Sequence, residues 1–278
     1  MPSIEKDKKA LIRQAYANAV KGKDQYVSGE QIMATNNKSV IELAGYTLEG
    51  LARVNEQVLE YNFSCGNPVD IANIRLGNRV LDLGCGTGLD LMLAAEKVGP
   101  FGHVIGIDIT QEMLDIADKH IKASPFNNIE LINAHIESIP CPTNSIDNVI
   151  SNCVINLSSN KKQVMSETFR VLKPGGSIAF SDMVIDDTIP NWIINQAALY
   201  ATCVSGATQL EHYLSIMQNV GFQDIEIIGF KTYSQEEMLS VLDIEATQVK
   251  QGVGEALFNH MLTGVKGKIH SVHITAKK

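Results

Sequence analysis

The pattern of hydrophobic and polar positions divides the chain near Pro68. Before Pro68, apolar positions recur in a loose helical stripe, which predicts short helices joined by polar turns over roughly the first 60 residues. After Pro68, short apolar runs alternate with amphipathic stretches of helical periodicity, and such runs are typical of strands that are covered on both faces. The runs that predict strands are Arg79–Gly84, His103–Asp108, Ile129–Ile132, Ile146–Ser151, Ser177–Asp182, Ile225–Phe230 and Lys268–Ala276.

Helices are predicted between these strands at Leu89–Val98, Gln111–Ala123 and Asn160–Val171. The third helix is followed by LysProGlyGly at 173–176, which indicates a helix stop and a tight entry into the next strand. Alternating strands and helices predict a parallel, doubly wound α/β sheet with right-handed crossovers. The last predicted strand, Lys268–Ala276, partly alternates apolar and polar residues, as an antiparallel strand would.

The expected architecture is therefore α/β, with a Rossmann-like, seven-stranded and mostly parallel sheet that carries helices on both faces. The chain has 278 residues, close to the upper size for a single core, so we expect one main domain with an accessory lobe. Residues 1–74 are expected to form an N-terminal helical cap or lid, and residues 75–278 the main domain. A helical insertion is expected at 235–262, before the last strand.

Composition narrows the class of protein. The 23 Lys and Arg residues against 31 Asp and Glu give a formal net charge of −8, which argues against binding to nucleic acid phosphates. No apolar run approaches the ~18 residues of a membrane span, and the charged N-terminal stretch lacks the apolar core of a secretory signal. We expect a soluble, cytoplasmic and monomeric protein that binds neither nucleic acid nor membrane.

The most informative motif is Val80–Gly88, VLDLGCGTG, which follows a predicted strand and opens the helix at Leu89. Its glycines let the backbone turn tightly and approach a ligand that a Cβ would exclude. The spacing is G-x-G-x-G, so the dinucleotide form G-x-G-x-x-G is not met. Asp82 lies at the end of the first strand, where its charge disfavours a pyrophosphate. Asp108 ends the second strand about 20 residues after Gly88, where a carboxylate can accept both ribose hydroxyls.

Two carboxylates around a glycine loop suit a ligand that has a ribose and a cationic centre but no phosphates. S-adenosylmethionine is such a ligand, because its ammonium and sulfonium groups favour an acidic pocket. A nicotinamide dinucleotide is the alternative, and it fits the glycine spacing less well. With the LysProGlyGly turn, the motif resembles the class I S-adenosylmethionine-dependent methyltransferases over roughly residues 75–230.

This resemblance implies which residues contact the cofactor. Ile109 and Met113 follow Asp108 and are expected to flank the adenine. His135, Ile136 and Glu137 lie in the loop after the third strand, where the family reads the adenine amino group, although many relatives carry an acidic residue in place of His135. The implied cofactor-binding residues are Asp82, Gly84, Cys85, Gly86, Gly88, Asp108, Ile109, Met113, His135, Ile136 and Glu137.

Five cysteines, at positions 65, 85, 141, 153 and 203, carry the remaining signal. Their odd number and the lack of a CxxC pair do not suggest a disulfide framework or a zinc site, so we expect thiols in a reducing compartment. Cys85 stands between two loop glycines and is expected to be structural. Cys141, beside two prolines, is expected to be an exposed loop thiol without a role.

The other three cysteines fall where an α/β topology brings segments to one rim. Cys153 follows the fourth strand, Cys65 lies in a loop ahead of the sheet, and Cys203 lies in the crossover after the fifth strand. Thiolates are soft ligands that prefer soft acceptors. A trivalent, thiophilic metalloid held by three sulfurs would keep its lone pair free for a methyl group.

Three strings around these cysteines are similar to those of the arsenite methyltransferases: SerAsnCysValIleAsnLeu at 151–157, CysGlyAsnPro at 65–68 and Cys-x-x-Gly at 203–206. The first is quite specific and the other two support it. The resemblance extends from about residue 45 to residue 230. Many members carry further cysteines upstream, whereas the matching stretch here, around 28–37, has none.

The resemblance implies methyl transfer from S-adenosylmethionine to trivalent arsenic, with Cys65, Cys153 and Cys203 as the catalytic, arsenic-binding thiolates. It places Phe63 near the cofactor and implies arsenite or its thiol conjugates as substrate. Because methylation formally oxidises arsenic, it also implies a thiol reductant such as glutathione or thioredoxin. The substrate has no proton to lose, so no general base is required.

Two other functions remain open. The first is a small-molecule methyltransferase that acts on a carbon, oxygen or thiol acceptor, with a base near Asn152. The second is a non-catalytic protein that senses S-adenosylmethionine or a metalloid. The fold alone does not distinguish these functions, because one fold hosts many chemistries.

Overall fold

Seven strands form one sheet in the part of the chain that this computed structural model describes, residues 44–47, 51, 58, 64–187, 189, 206–234 and 254–278. The strands are β1 (Arg79–Leu83), β2 (His103–Asp108), β3 (Ile129–Asn133), β4 (Ile146–Asn152), β5 (Leu172–Ile185), β6 (Gln223–Thr232) and β7 (Ile269–Lys277). Their spatial order is β3-β2-β1-β4-β5-β7-β6. The predicted seven-stranded sheet is confirmed, and each strand lies within a few residues of its apolar run.

Strand directions also agree with the sequence pattern. The central strand β1 is parallel to both of its neighbours, and Leu81 is in register with Ile105 of β2 and Val149 of β4. Among the described strands, β7 alone runs opposite to the other six, and its Ile274 lies opposite Phe180 of β5. The order reverses between β1 and β4, which creates a crevice at the carboxyl ends of these strands.

Helices connect the strands close to their predicted bounds. The Asn160 side chain accepts a hydrogen bond of 3.1 Å from the N–H of Gln163 and so fixes the start of the fourth helix. None of the described helices has the length and apolar character needed to cross a membrane. The helices are α1 (Pro68–Ile71), α2 (Leu89–Val98), α3 (Gln111–Lys122), α4 (Lys161–Val171), α5 (Leu210–Val220) and α6 (Glu255–Val265).

Apolar clusters cover both faces of the sheet. On one face α2 and α3 bury residues such as Leu91 and Leu114 against β1 and β2. On the other face α4 and α5 bury Met165, Tyr213 and Met217. Each fully buried large side chain stabilises the fold by about 1.5–3 kcal/mol, so the two layers hold the strand ends, and hence the crevice, in place.

The LysProGlyGly segment follows the end of helix α4 at Val171, as predicted. Residues 173–176 fall within the range of β5, but the register with β4 passes from Leu172 directly to Ser177, and Gly175 has a positive φ of +79°. Lys278 holds this segment, because it donates its N–H to the Gly176 carbonyl and accepts the N–H of Gly175, at 2.9 and 3.1 Å. Continuous pairing of β5 with both neighbours therefore begins at Ser177, where the apolar run predicts the strand.

Several predicted features lie outside the described residues. They include most of the N-terminal cap at 1–74 with Phe63, the crossover that carries Cys203, and residues 235–253 of the predicted insertion. The described end of that insertion is helical, and α6 continues to Val265, three residues beyond the predicted end.

Candidate active site

An open cleft lies at the carboxyl ends of β1, β2 and β4, where the strand order reverses. Ligands of open α/β sheets bind at such a point. The space between its walls amounts to about 790 Å³, part of which is open solvent. Seven of the predicted cofactor-binding residues line it: Asp82, Gly84, Cys85, Gly86, Asp108, Ile109 and Met113.

The glycine loop has a backbone that suits glycine at each of its three positions. Gly84, Gly86 and Gly88 have φ values of +72°, +51° and +95°, in the left-handed region that other residues rarely adopt. A Cβ on Gly84 would clash with Val154, so the loop packs directly on the turn after β4. A Cβ on Gly86 would point into open space, so this glycine leaves its backbone free to approach a ligand. Gly88 is the N-cap residue of α2.

Asp108 fastens the loop to the end of β2. Its carboxylate accepts the N–H of Gly86 at 3.0 Å and the N–H of Thr110 at 2.8 Å. Burial raises the pKa of Asp108, and these hydrogen bonds partly offset that rise. Burial also raises the pKa of Asp82 well above its usual value, and repulsion from Asp90 and Asp108 adds to the effect.

Asp90 is a third buried carboxylate of the cleft, and no sequence motif indicated it. It accepts the Tyr46 hydroxyl at 2.8 Å and the Asn152 amide at 3.2 Å. Burial raises its pKa to about 6, although both hydrogen bonds act to lower it. An acidic residue in the first turn of a helix is common for reasons of the helix dipole, so its position gave no separate signal.

The three buried carboxylates give the cleft an acidic lining that suits a cationic ligand. No basic side chain of the described residues forms an ion pair with Asp82, Asp90 or Asp108. Buried carboxylates that face one another disfavour the ionised state, and a bound cation relieves both the burial and the repulsion. Together with the open space at Gly86, this donor set fits a ligand with ammonium and sulfonium groups.

A second, adjoining cavity contains the loop after β3. His135, Ile136 and Glu137 line it, as do Asp108 and Ile109, so it continues the cleft beyond the end of β2. The carboxylate of Glu137 accepts the hydroxyl of Ser158 at 2.8 Å. The predicted adenine-contacting residues therefore line two adjoining cavities that share Asp108 and Ile109.

Cys65 and Cys153 meet at the rim of the cleft and are joined by a disulfide, with a Cα–Cα distance of 6.1 Å. Free thiols were expected, and the reason for the difference is that the fold brings these two sulfurs together. Cys153 has a φ of +57°, a left-handed conformation that is uncommon outside glycine and that turns the chain just after β4. Cys203 lies outside the described residues.

The backbone around the pair is held by Ser181 of β5. Its carbonyl accepts the N–H of Cys153 at 2.8 Å and lies 3.5 Å from the sulfur of Cys65. The sulfur atoms and one carboxylate oxygen of Asp182 all lie within 4.8 Å of one another. The pair is therefore buried beside a carboxylate and faces the cleft through Cys153, which is among the residues that line it.

Asp182 is buried and connects the pair to α5. It accepts the Tyr213 hydroxyl at 2.7 Å and the N–H of Asn156 at 3.0 Å. Burial raises the pKa of Asp182 to about 6, while the hydrogen bond from Tyr213 and the charge of Lys161 act to lower it. This network fixes the turn that follows Cys153.

The two remaining cysteines lie in different parts of the fold. Cys85 is buried and lines the cleft. Burial raises the pKa of its thiol, and repulsion from Asp108 and Asp82 adds to this rise, so the thiol stays protonated at neutral pH. The expectation that Cys141 is exposed is wrong. It is only 7% exposed and belongs to the apolar cluster under α4. The reason is that its loop folds onto Arg170, whose guanidinium donates a hydrogen bond to the Cys141 carbonyl at 2.8 Å.

This chain is similar to known methyltransferases. Residues 74–221 match the family described as "Methyltransferase domain". An arsenite methyltransferase of Halobacterium salinarum is 38% identical over 186 residues, which is 67% of this chain and 47% of that protein. The human arsenite methyltransferase is 31% identical over 235 residues, which is 78% of this chain and 59% of that protein. The chain thus spans about half the length of the curated relatives it matches.

A solved structure agrees with the sequence matches. The crystal structure of an arsenic(III) S-adenosylmethionine methyltransferase from Chlamydomonas reinhardtii has a TM-score of 0.66 to this chain. The two sequences are 32% identical, and the similarity covers 83% of this chain and 72% of the other. At this level of identity the match extends beyond a shared fold.

Proposed function

This chain belongs to the arsenite methyltransferase family of the class I S-adenosylmethionine-dependent methyltransferases, and we propose that it transfers methyl groups to trivalent arsenic held by Cys65, Cys153 and Cys203. S-adenosylmethionine is the methyl donor of the class I family. The observation that carries the arsenic proposal is the meeting of two sulfurs, 88 positions apart in sequence, beside a cleft of buried carboxylates. Soft thiolates select a soft, trivalent acceptor.

In the proposed donor site, Asp108 accepts the ribose hydroxyls, and Asp82 and Asp90 face the cationic end of the donor. The geometry of the cleft supports this assignment, because Asp108 ends β2 while Asp82 and Asp90 lie toward β4 and the cysteine pair. The other contacts proposed for the cofactor are those of Gly84, Cys85, Gly86, Gly88, Ile109, Met113, His135, Ile136 and Glu137, with Phe63 from the N-terminal segment.

Cys203 is proposed as the third arsenic ligand on the basis of chain reach. Gly206 packs on the backbone of Asn156, three residues after Cys153, and Thr208 forms a bridge with Val184 at the end of β5. Three residues extend by at most about 10 Å. A residue three positions before Gly206 is within this reach of the turn after Cys153, and this supports Cys203 as the third ligand.

The proposed reaction requires both cysteines of the pair as thiols, because the thiolate is the form that binds the acceptor. Two molecules of glutathione, or the dithiol of one thioredoxin, reduce the disulfide first and are themselves oxidised to a disulfide. The arsenic lone pair then forms the bond to the methyl carbon, the carbon–sulfonium bond breaks, and its electron pair stays on the departing sulfur. Arsenic is formally oxidised by two electrons, and two further thiols return it to the trivalent state.

Residues 1–74 are proposed to act as a lid over the cleft, and 75–278 as the catalytic domain with its insertion at 235–262. The support comes from Tyr46, which lies in the N-terminal segment and donates its hydroxyl to Asp90 inside the cleft. The same hydroxyl lies 3.2 Å from the hydroxyl of Ser64, beside Cys65. Tyr46 and Cys65 of this segment also contact Asn152 at the end of β4, which supports a lid that closes on the cleft.

The direct test incubates the protein with arsenite, S-adenosylmethionine and glutathione, and measures methylated arsenic by chromatography with elemental mass spectrometry. We expect product that requires all three additions and is absent with heat-denatured protein. S-adenosylhomocysteine formed with another acceptor but not with arsenite would identify a different small-molecule methyltransferase. Binding of both ligands without any S-adenosylhomocysteine would identify a sensor.

A further inference from the structure

The side chain of Asn152, the last residue of β4, links the thiol pair to the donor side of the cleft. Its carbonyl oxygen accepts the N–H of Cys65 at 3.1 Å and lies 3.7 Å from the Cys65 sulfur. Its amide nitrogen donates to the carbonyl of Gly66 at 2.7 Å. The same nitrogen lies 3.0 Å from the Tyr46 hydroxyl and 3.2 Å from the carboxylate of Asp90.

These contacts require an amide, and they fix its orientation. Cys65 presents an N–H donor to one end of the side chain, while Gly66 and Asp90 present only acceptors to the other end. A carboxylate at position 152 would repel the Gly66 carbonyl and Asp90, and an apolar side chain would leave buried partners without hydrogen bonds. Asparagine offers an acceptor and a donor at the two required ends.

The loop that carries Cys65 has little freedom on its other side. A Cβ on Gly66 would clash with the ring of His273 and with the hydroxyl of Ser181, so the backbone lies directly on both side chains. The Ser181 hydroxyl is itself joined to His273 at 2.7 Å. The Cys65 loop is thus held between Asn152 of β4, which hydrogen-bonds to it, and the side chains of Ser181 and His273, on which it packs.

We propose that Asn152 is a positioning residue that presents the Cys65 sulfur to Cys153 and couples the thiol pair to Asp90. That Cys65 and Cys153 hold arsenic rests on the proposed function. That Asn152 positions their sulfurs does not depend on it. Asn152 does not react. Its hydrogen bonds set the distance between two sulfurs that belong to segments 88 positions apart.

The test measures how readily Cys65 and Cys153 pair in the full-length protein. Wild type, Asn152→Ala, Asn152→Asp and Asn148→Ala are equilibrated in glutathione redox buffers, and the fraction of the Cys65–Cys153 disulfide is measured by mass spectrometry after alkylation. Asn148 is the matched control, because it is a buried asparagine of the same strand whose amide bonds to Ser177 instead. Thermal unfolding establishes that each variant is folded.

We expect both Asn152 variants to lower the equilibrium constant for the disulfide by about tenfold or more, with Asn148→Ala within about twofold of wild type. If Asn152→Ala does not fold, the similarly sized Asn152→Asp variant decides the question. Constants within twofold of wild type in the folded Asn152 variants, or an equal loss in Asn148→Ala, would overturn the proposal. The redox measurement uses no arsenic, so it tests the role of Asn152 independently of the proposed function. An absence of arsenite methylation would contradict the proposed function alone.

Discussion

Gly206 packs so closely on the carbonyl group of Asn156 that a side chain at position 206 would clash with it. This contact holds Gly206, three positions after Cys203 in the sequence, alongside the turn that follows Cys153. The neighbouring Thr208 is held as well, since Ile185 donates its N–H to the Thr208 carbonyl at 3.2 Å. The proposed third thiol thus needs to span only three residues from a point that the fold fixes beside this turn.

Replacing Gly206 by Ala tests whether the close packing of Gly206 on Asn156 matters for arsenic binding. The added Cβ displaces the segment from Asn156, so we expect arsenite affinity and methylation rate to fall by about tenfold or more, because a displaced ligand loses the geometry it needs. Gly102→Ala is the matched control: its Cβ clashes with Val98 at the opposite end of the sheet and costs a comparable ~1–3 kcal/mol of overpacking. A similar loss of methylation in both variants would contradict the account.

Single thiol replacements separate the cysteines by role. We expect Cys153→Ser and Cys203→Ser to lower methylation to the level of denatured protein, and Cys65→Ser to abolish at least the first methyl transfer, because a hydroxyl is a poor ligand for a soft acceptor. The measurement is the amount of mono- and dimethylated arsenic formed over time.

Cys141 supplies the control for these replacements. Cys141→Ala removes a buried thiol under α4 but leaves the backbone carbonyl that accepts from Arg170. We expect its methylation rate to match wild type, with only a small loss of stability. Full activity of Cys153→Ser would contradict the arsenic assignment and favour another acceptor.

The open space at Gly86 predicts that a side chain at this position weakens binding of S-adenosylmethionine. Gly86→Ala places a Cβ in the cleft, and we expect S-adenosylmethionine to bind about tenfold more weakly by calorimetry, because the backbone can no longer approach the ligand. Gly175→Ala is the control, since Gly175 also has a positive φ and open surroundings but lies far from the cleft in β5. Both variants lose about 1–2 kcal/mol through backbone strain. Equal donor affinity in the two variants would contradict the placement of the donor.

The raised pKa of Asp90, about 6, predicts how donor affinity depends on pH. The cationic donor favours ionised carboxylates, so affinity is highest above pH 6 and falls as Asp90 becomes protonated. Between pH 7.5 and pH 5 we expect a loss of up to about tenfold from this group, and Asp82 and Asp108, whose pKa values are also raised, act in the same direction.

Asp90→Asn checks the assignment of that pH dependence. We expect weaker binding of S-adenosylmethionine at pH 7.5 and a smaller change in affinity between pH 7.5 and pH 5. Asp118→Asn, an equal change of charge on the exposed face of α3, is expected to bind the donor as wild type does. A donor affinity that rises as pH falls, or an Asp90→Asn variant with the wild-type slope, would contradict the role of Asp90.

The sheet and the glycine loop were predictable because their signals are local. The apolar runs of β1, β2 and β4 are buried on both faces, and hydrophobic periodicity reports such burial directly. The placement of Asp82 and Asp108 followed from their positions at strand ends. The contact of Lys278 with Gly175 and Gly176 was not predictable, because only tertiary packing brings these distant positions together.

The network around Asn152 could not be predicted from the sequence. Its partners Tyr46 and Cys65 lie 106 and 87 positions away, and only tertiary packing brings them together. Asp90 was missed because an acidic residue in the first turn of a helix is common, and its contact with Tyr46 depends on tertiary packing. The error at Cys141 has a similar origin, since proline-flanked loops are usually exposed but this one folds under Arg170.

Arsenic X-ray absorption spectroscopy of the reduced, full-length protein with one equivalent of arsenite tests the central claim most directly. The three-thiolate account predicts an arsenic atom with three sulfur neighbours in wild type and two in Cys203→Ser. Arsenic surrounded by oxygen in the wild-type protein, or a sulfur count unchanged in each of the Cys65, Cys153 and Cys203 variants, would contradict it.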